Sequence, residues 1–341
     1  MINSARRVAL AGVLAAGLVA FAGPSASPAD PADPADPAVQ LALVDGRLEV
    51  HGSPGPDTVS ITLDPAGSDA LEIFTRSSPV PDFRVPRSAV TRGIEVSLAS
   101  GDDSFSVVET GGVFTTTTPV RVEGGDGADH LTGGSGGETL LGGAGADLAE
   151  GRGGPDQIIL GDAADTVVWT ADDGDDIVDG GSGADRALIR GADTGDLLEV
   201  SNVGGGVSVS PGSSTAAEFT DVESVVVEPL TGSDKVVLGD LTGTGVRDVV
   251  TDFAPTVGGG VPDHVLDTLV IQGTGTVEPV NLSGTAGLVD VTGLSATIHL
   301  RNADPRYPHD DSDLLAIDTG TGTDEVTAFG ISPDAIRFVV G

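Results

Sequence analysis

From Gly124 the chain repeats every nine residues, and this period limits what it can fold into more than any other feature. The rows read GGDGADHLT, GGSGGETLL, GGAGADLAE, GRGGPDQII and LGDAADTVV, ending at Val168. After Trp169 and Thr170 the pattern resumes as ADDGDDIVD and GGSGADRAL, and after Ile189 and Arg190 comes GADTGDLLE, ending at Glu199. The common form is Gly-Gly-x-Gly-x-Asp-x-apolar-x, broken by a two-residue slip at 169–170 and another at 189–190. A nine-residue unit cannot bury an apolar face alone, so it is stable only when stacked on its neighbours. Aromatic residues make up 3% of the chain, so thin layers of Val, Leu and Ile must do the burying, which favours a repetitive all-β architecture with a narrow core.

Each position of the row has a physical reason. The glycines permit backbone angles closed to other residues and let adjacent turns stack closely. The sixth position supplies a carboxylate: Asp129, Asp147, Asp156, Asp165, Asp176, Asp185 and Asp196, with Glu138 standing for Asp in the second row. The eighth position points an apolar side chain inward from a short strand: Leu131, Leu140, Ile158, Val167, Val178 and Leu198, with Ala149 and Ala187 thinning the core in two rows. Arg152 replaces a glycine in the fourth row, and the fifth row opens on Leu160. Two rows make one turn, so Asp129, Asp147 and Asp165 form one edge column and Glu138, Asp156 and Asp176 the other. Strands in a sheet lie roughly 4.8 Å apart, so such columns repel unless a hard divalent cation neutralises them with loop carbonyls completing an oxygen shell. Residues 124–199 carry 17 acidic and 3 basic side chains, a net charge of −14. Over the whole chain Asp outnumbers Glu by 39 to 13, a bias suited to tight turns and to calcium.

These rows resemble the haemolysin-type, or RTX, calcium-binding nonapeptide repeat. The resemblance covers 76 residues, 124–199. It implies a parallel β-roll with calcium held between successive loops, the sixth-position carboxylates and loop carbonyls serving as ligands. Carried over by motif position, it selects the seven aspartates above and Glu138 as metal residues, with Ca2+ as the bound ion.

Outside the repeat the chain reads as several regions. Arg6 and Arg7 followed by the apolar run Val8–Ala22 read as a signal peptide over residues 1–22, cleaved after Ala22 or, alternatively, after Ala29. Residues 23–38 contain Pro-Ala-Asp three times and read as an extended spacer. Residues 39–123 and 200–341 carry short β-like apolar runs, among them Thr58–Leu63, Ile94–Leu98, Val225–Val227, Thr268–Ile271 and Thr297–Leu300. These flanks are expected to continue the solenoid irregularly, with a β-sandwich as the alternative. Their aspartates Asp57, Asp103, Asp234, Asp267 and Asp324 are read as turn residues. The stretch from Asp221 to Gly341, through Asp240-Leu-Thr-Gly-Thr-Gly-Val246, Val291-Thr-Gly-Leu294 and Asp313-Leu-Leu-Ala-Ile317, resembles segments of large secreted bacterial calcium-binding proteins.

A net charge of −36 makes nucleic acid and anionic membrane surfaces poor partners and cations natural ones. With no cysteine, disulfides and thiolate metal sites are excluded. His51, His130, His264, His299 and His309 form no metal-ligand pair by spacing, and His130 is expected on the surface. No nucleophile elbow, phosphate loop or zinc signature occurs. The expectation is a secreted, non-catalytic calcium-binding module that folds on calcium and serves as a structural, adhesive or scaffold element, with a cell-surface or matrix polymer as partner and no membrane insertion. The competing reading is a calcium-dependent polysaccharide lyase or epimerase on a β-helix, whose acidic sugar would be held by Arg84, Arg87 and Arg92 or by Arg301 and Arg306.

Overall fold

In the computed structural model the nine-residue period becomes an alternation between two sheets: one row ends in a strand of the first sheet, the next in a strand of the second. The structure describes residues 19–21, 39–75, 79–192, 194–212, 216–260, 265–274, 279–303, 313–318, 325–331 and 336–341. Most of the expected leader, the spacer, Arg306, Asp324, His264 and His309 lie outside them. The chain divides into two compact units, residues 1–156 and 157–341, so the repeat is shared between them. The architecture is all-β, and no α-helix occurs among the described residues.

In the first unit, Arg47–His51, Gly93–Ser97, Val120–Asp126 and Thr139–Ala144 pair in parallel in one sheet. Thr58–Leu63, Ser104–Val108, His130–Thr132 and Leu148–Glu150 pair in parallel in the other. Antiparallel strands extend the N-terminal edge of each sheet: Gln40–Val44 joins Arg47–His51, and Ala70–Phe74 with Phe83–Pro86 folds beside Thr58–Leu63. Val19–Phe21, inside the expected leader, pairs antiparallel with Gln40–Val44. Parallel register places identical row positions side by side, so Val59, Phe105, Leu131 and Ala149 form one inward ladder. All four are at most 1% exposed. The flanking segment 39–123 therefore continues the solenoid, and its apolar run Thr58–Leu63 is a strand with the bounds read from sequence.

The second unit repeats the plan. Gln157–Asp162, Ile177–Ser182 and Ala217–Thr220 pair in parallel, as do Leu197–Val203, Lys235–Leu238, Thr268–Gln272, Leu314–Asp318 and Arg337–Val340. Gly206–Pro211 joins the two sets by antiparallel pairing on both sides. In the other sheet Thr166–Thr170, Arg186–Arg190, Ser224–Glu228, Asp248–Asp252 and Thr297–Arg301 pair in parallel, and Leu288–Thr292 folds back antiparallel. Parallel pairing across both flanks gives irregular solenoid segments in place of the sandwich alternative.

The two slips widen the coil. In the first unit His130 lies opposite Leu148, and Asp129 bonds Asp147 across 18 residues. In the second unit Thr166 lies opposite Arg186, and Asp165 bonds Asp185 across 20 residues. The added pair, Trp169-Thr170 or Ile189-Arg190, lengthens the strand from three residues to five. Because side chains alternate across a strand, each insertion adds one inward position. Trp169 and Ile189 fill it, at 1% and 0% exposure, beside Val227. The widened core thus depends on the chain's only tryptophan. Trp169→Ala is expected to lower the stability of the folded protein by about 3–5 kcal/mol through the cavity it leaves, measured by urea unfolding followed by circular dichroism.

Candidate metal centre

The strands are entered through the loops, and the sixth residue of each row lies immediately before its strand. Parallel stacking therefore brings the acids together. In the first unit Asp57, Asp103, Asp129 and Asp147 form one column, and Glu138 and Asp156 a second. In the second unit Asp165, Asp185 and Glu223 form one column, and Asp196, Asp234, Asp267 and Asp313 another. Asp176 is buried at the head of its strand, and its carbonyl accepts the Glu218 amide at 2.8 Å. Apart from Asp196, which is half-buried, every sixth-position acid read from the sequence is buried.

One bond recurs along each column. The backbone N–H of an acid donates to a carboxylate oxygen of the acid in the following coil. The distances are 2.7 Å from Asp57 to Asp103, 2.9 Å from Asp103 to Asp129 and 2.8 Å from Asp129 to Asp147. They are 2.7 Å from Glu138 to Asp156 and 2.9 Å from Asp165 to Asp185. The same bond measures 2.8 Å from Asp196 to Asp234, from Asp234 to Asp267 and from Asp267 to Asp313. A peptide amide thus stands between stacked carboxylates, where the sequence pictured bare repulsion.

The second carboxylate oxygen divides the acids into two kinds. In three loops the N–H four residues earlier folds back onto it: Ser53 to Asp57 at 2.6 Å, Gly134 to Glu138 at 2.8 Å and Ala192 to Asp196 at 2.6 Å. In three further loops that earlier residue is left-handed, with φ 79° at Ala99, 118° at Gly125 and 90° at Gly181. In those loops Oδ2 of Asp103, Asp129 and Asp185 is buried with no hydrogen-bond partner. A buried, partnerless carboxylate oxygen is costly, and burial raises the pKa of all three carboxyls. Asp103 is pushed up to about 6 by burial, with the neighbouring Asp129 and Asp57 charges adding to it and the Asp57 amide opposing. Burial raises Asp196 as well.

The glycines hold the loops this close. A Cβ on Gly124 would lie 2.2 Å from Oδ2 of Asp129, and one on Gly127 would lie 1.9 Å from the Gly101 carbonyl oxygen. Gly127 also has φ 130°, a region that disfavours any side chain. The departures from the motif are absorbed locally. Glu138 reaches its loop amide with the longer arm. Arg152 adopts φ 68° and donates to the Val107 carbonyl at 3.2 Å. Leu160 is fully buried at the glycine position it replaces.

The donors present suit a hard divalent cation: anionic and carbonyl oxygens only, with unsatisfied buried oxygens at Asp103, Asp129 and Asp185. Among the described residues no three His, Asp or Glu side chains converge as a metal cluster, so loop carbonyls would have to complete any shell.

The structure brings Asp103 and Asp57 into a first-unit column and Asp234 and Asp267 into a second-unit column, all four read from sequence as turn residues; Asp313 enters the sequence reading only as the start of a resembling segment, and Glu223 does not enter it. The available signal was an acid directly before an alternating strand. Three arginines of the lyase reading are engaged by acids, Arg84 with Asp64 and Glu72, Arg87 with Asp69, and Arg301 with Asp290, while Arg92 is exposed. His130 is exposed, as expected. His299 lies between Asp248 at 2.8 Å and Asp290 at 2.7 Å, a grouping from three strands that sequence spacing does not reveal.

The raised carboxyls fix the sign of a pH effect. Their folded-state pKa exceeds the ordinary value of 3.8, so the folded chain holds protons that the unfolded chain releases. Stability falls as pH rises from about 4 through about 6, the Asp103 value, and levels off above it. Asp64, Glu109 and Asp290, held low by hydrogen bonds, act oppositely and only under more acidic conditions. In divalent-free buffer the β signal in circular dichroism is therefore expected to be larger at pH 5 than at pH 7.5.

Residues 121–149, 141–168 and 170–187 match the family model described as the RTX calcium-binding nonapeptide repeat (4 copies). A comparison with curated proteins returns no match. The period, the stacked acids and this match agree: the chain carries haemolysin-type calcium-binding nonapeptide repeats at its centre.

Proposed function

We propose that this chain is an extracellular calcium-binding protein whose solenoid is completed by calcium and whose role is structural, adhesive or scaffolding, without catalysis. The observation that carries the reading is the buried, partnerless Oδ2 of Asp129 and Asp185 inside the repeat. Without a cation these oxygens oppose folding at neutral pH; with one, the binding free energy becomes folding free energy. The sixth-position set Asp129, Glu138, Asp147, Asp156, Asp165, Asp176, Asp185 and Asp196 is the proposed ligand set, and the ion supplies charge neutralisation between coils. Calcium suits such loops better than magnesium, which demands near-ideal octahedral geometry and keeps its waters. The leader and spacer reading puts this event after export, where calcium is more abundant, and the flanking regions 39–123 and 200–341 each extend the coils of the repeat region 124–199 within their own unit. The engaged arginines weigh against the lyase or epimerase alternative, since a uronic-acid polymer would have to displace carboxylates already paired with them.

The test is a far-ultraviolet circular dichroism titration of the full chain at pH 7.5 with calcium, and with magnesium as control. A cooperative gain of β signal with calcium alone is expected. Asp129→Asn and Asp185→Asn, which keep the amide acceptor but lose the charge, are each expected to move the calcium midpoint upward on the order of tenfold, about 1.4 kcal/mol. A chain already folded in chelator and unmoved by calcium overturns the proposal.

A further inference from the structure

The loop 98–103 reads Leu-Ala-Ser-Gly-Asp-Asp and lies outside the residues that match the repeat family. Only one of its first four residues is glycine. Its backbone nevertheless has the form of a repeat loop. Ala99 and Gly101 take φ of 79° and 125°, and the corresponding Gly125 and Gly127 take 118° and 130°. Left-handed alanine is unfavourable and persists only where its surroundings impose it. The surroundings here are the next loop: the Asp126 N–H donates to the Ala99 carbonyl at 3.0 Å, and the Gly101 N–H donates to the Asp126 carbonyl at 2.7 Å. One coil further on, the Gly127 N–H donates to the Ala144 carbonyl at 2.7 Å in the same manner. The fifth row, which does match the family, departs as far from the motif, with Leu160 at its first position and Ala163 at φ 93° in its fourth.

The acid that ends the loop is the independent observation. Asp103 is 3% exposed. Its Oδ1 accepts the Asp57 amide at 2.7 Å, while its Oδ2 is buried without a partner, as in Asp129 beside it. The exposed Asp102 has no such role, since its carboxylate accepts the Ala128 amide at 3.0 Å at the surface. We infer that the loop 98–103, stacked on 124–129, is a further site for a hard divalent cation, with Oδ2 of Asp103 as its anionic donor and the calcium column extending into the region before the matched repeats. This inference rests on the calcium reading above and adds a site to it.

The experiment is calcium titration calorimetry on the full chain, comparing wild type, Asp103→Asn and Asp102→Asn. Asp103→Asn keeps the acceptor for the Asp57 amide and is expected to bind one calcium fewer than wild type. Asp102→Asn removes the same charge one residue away and is expected to leave the stoichiometry unchanged. A wild-type measurement guards against misfolding of the variant: by hydrogen exchange, amides 98–103 should gain protection with calcium alongside amides 124–129. Unchanged stoichiometry in Asp103→Asn, or calcium protection confined to residues 121–187, overturns this inference and leaves the calcium reading standing. A wild-type chain that binds no calcium overturns both.

Discussion

The bond from the backbone amide of one acid to the carboxylate of the acid in the next coil is the interaction on which the rest of the structure depends. It fixes register, because an acid can accept its neighbour's N–H only if the two loops are in phase, and parallel phase is what aligns Val59, Phe105, Leu131 and Ala149 in the core. It also forces burial: an acceptor held 2.7 to 2.9 Å from an amide between stacked loops cannot reach water with both oxygens. The geometry that satisfies one oxygen therefore strands the other unless the loop turns an amide back onto it. Charge neutralisation is built into the packing and is not an addition to it.

The second oxygen separates acids that the loop itself answers from acids that it does not. Where the residue four positions earlier has an ordinary backbone, its N–H closes onto one carboxylate oxygen, as at Asp57, Glu138 and Asp196, and that oxygen has a local donor although the charge remains. Where that residue is left-handed, as at Ala99, Gly125 and Gly181, no such bond forms and the oxygen is left partnerless. The glycines of the motif thus do two things with one torsion. They let the coils approach to contact, and they withhold from the carboxylate the one local donor that would answer its second oxygen.

The nine-residue phase made the centre of the fold legible. It located the inward positions, all buried, and the acids that stack between Asp129 and Asp147 and between Glu138 and Asp156. The flanks were legible as strands and less so as sites. Asp103 was read as turn chemistry because Leu98, Ala99 and Ser100 erase the glycine signature, yet Ala99 is driven into the glycine conformation by hydrogen bonds from the following loop. A local pattern cannot report a torsion imposed by a residue in the next coil, here Asp126 bonding Ala99. The slips at 169–170 and 189–190 looked like interruptions; they are insertions into strands, visible as such only once Trp169 and Ile189 are seen side by side in a wider core. His299 with Asp248 and Asp290 was illegible for the same reason, since three strands supply it.

The amide-to-acid bond also outlasts the glycines. Asp234, Asp267 and Asp313 keep it at 2.8 Å although the loops between them no longer spell the motif and lie 33 and 46 residues apart in sequence. The bond needs only an acid ahead of a strand, and any loop long enough to return to the same edge can deliver one. Close loop-on-loop stacking needs more, because a Cβ at Gly125 would lie 2.0 Å from the Ala99 carbonyl and one at Gly143 would lie 2.2 Å from the Gly125 carbonyl. Longer loops relax that requirement and lose the glycines with it. An acid column can therefore run through a solenoid as a structural spine, beyond the stretch where short glycine-bearing loops press together.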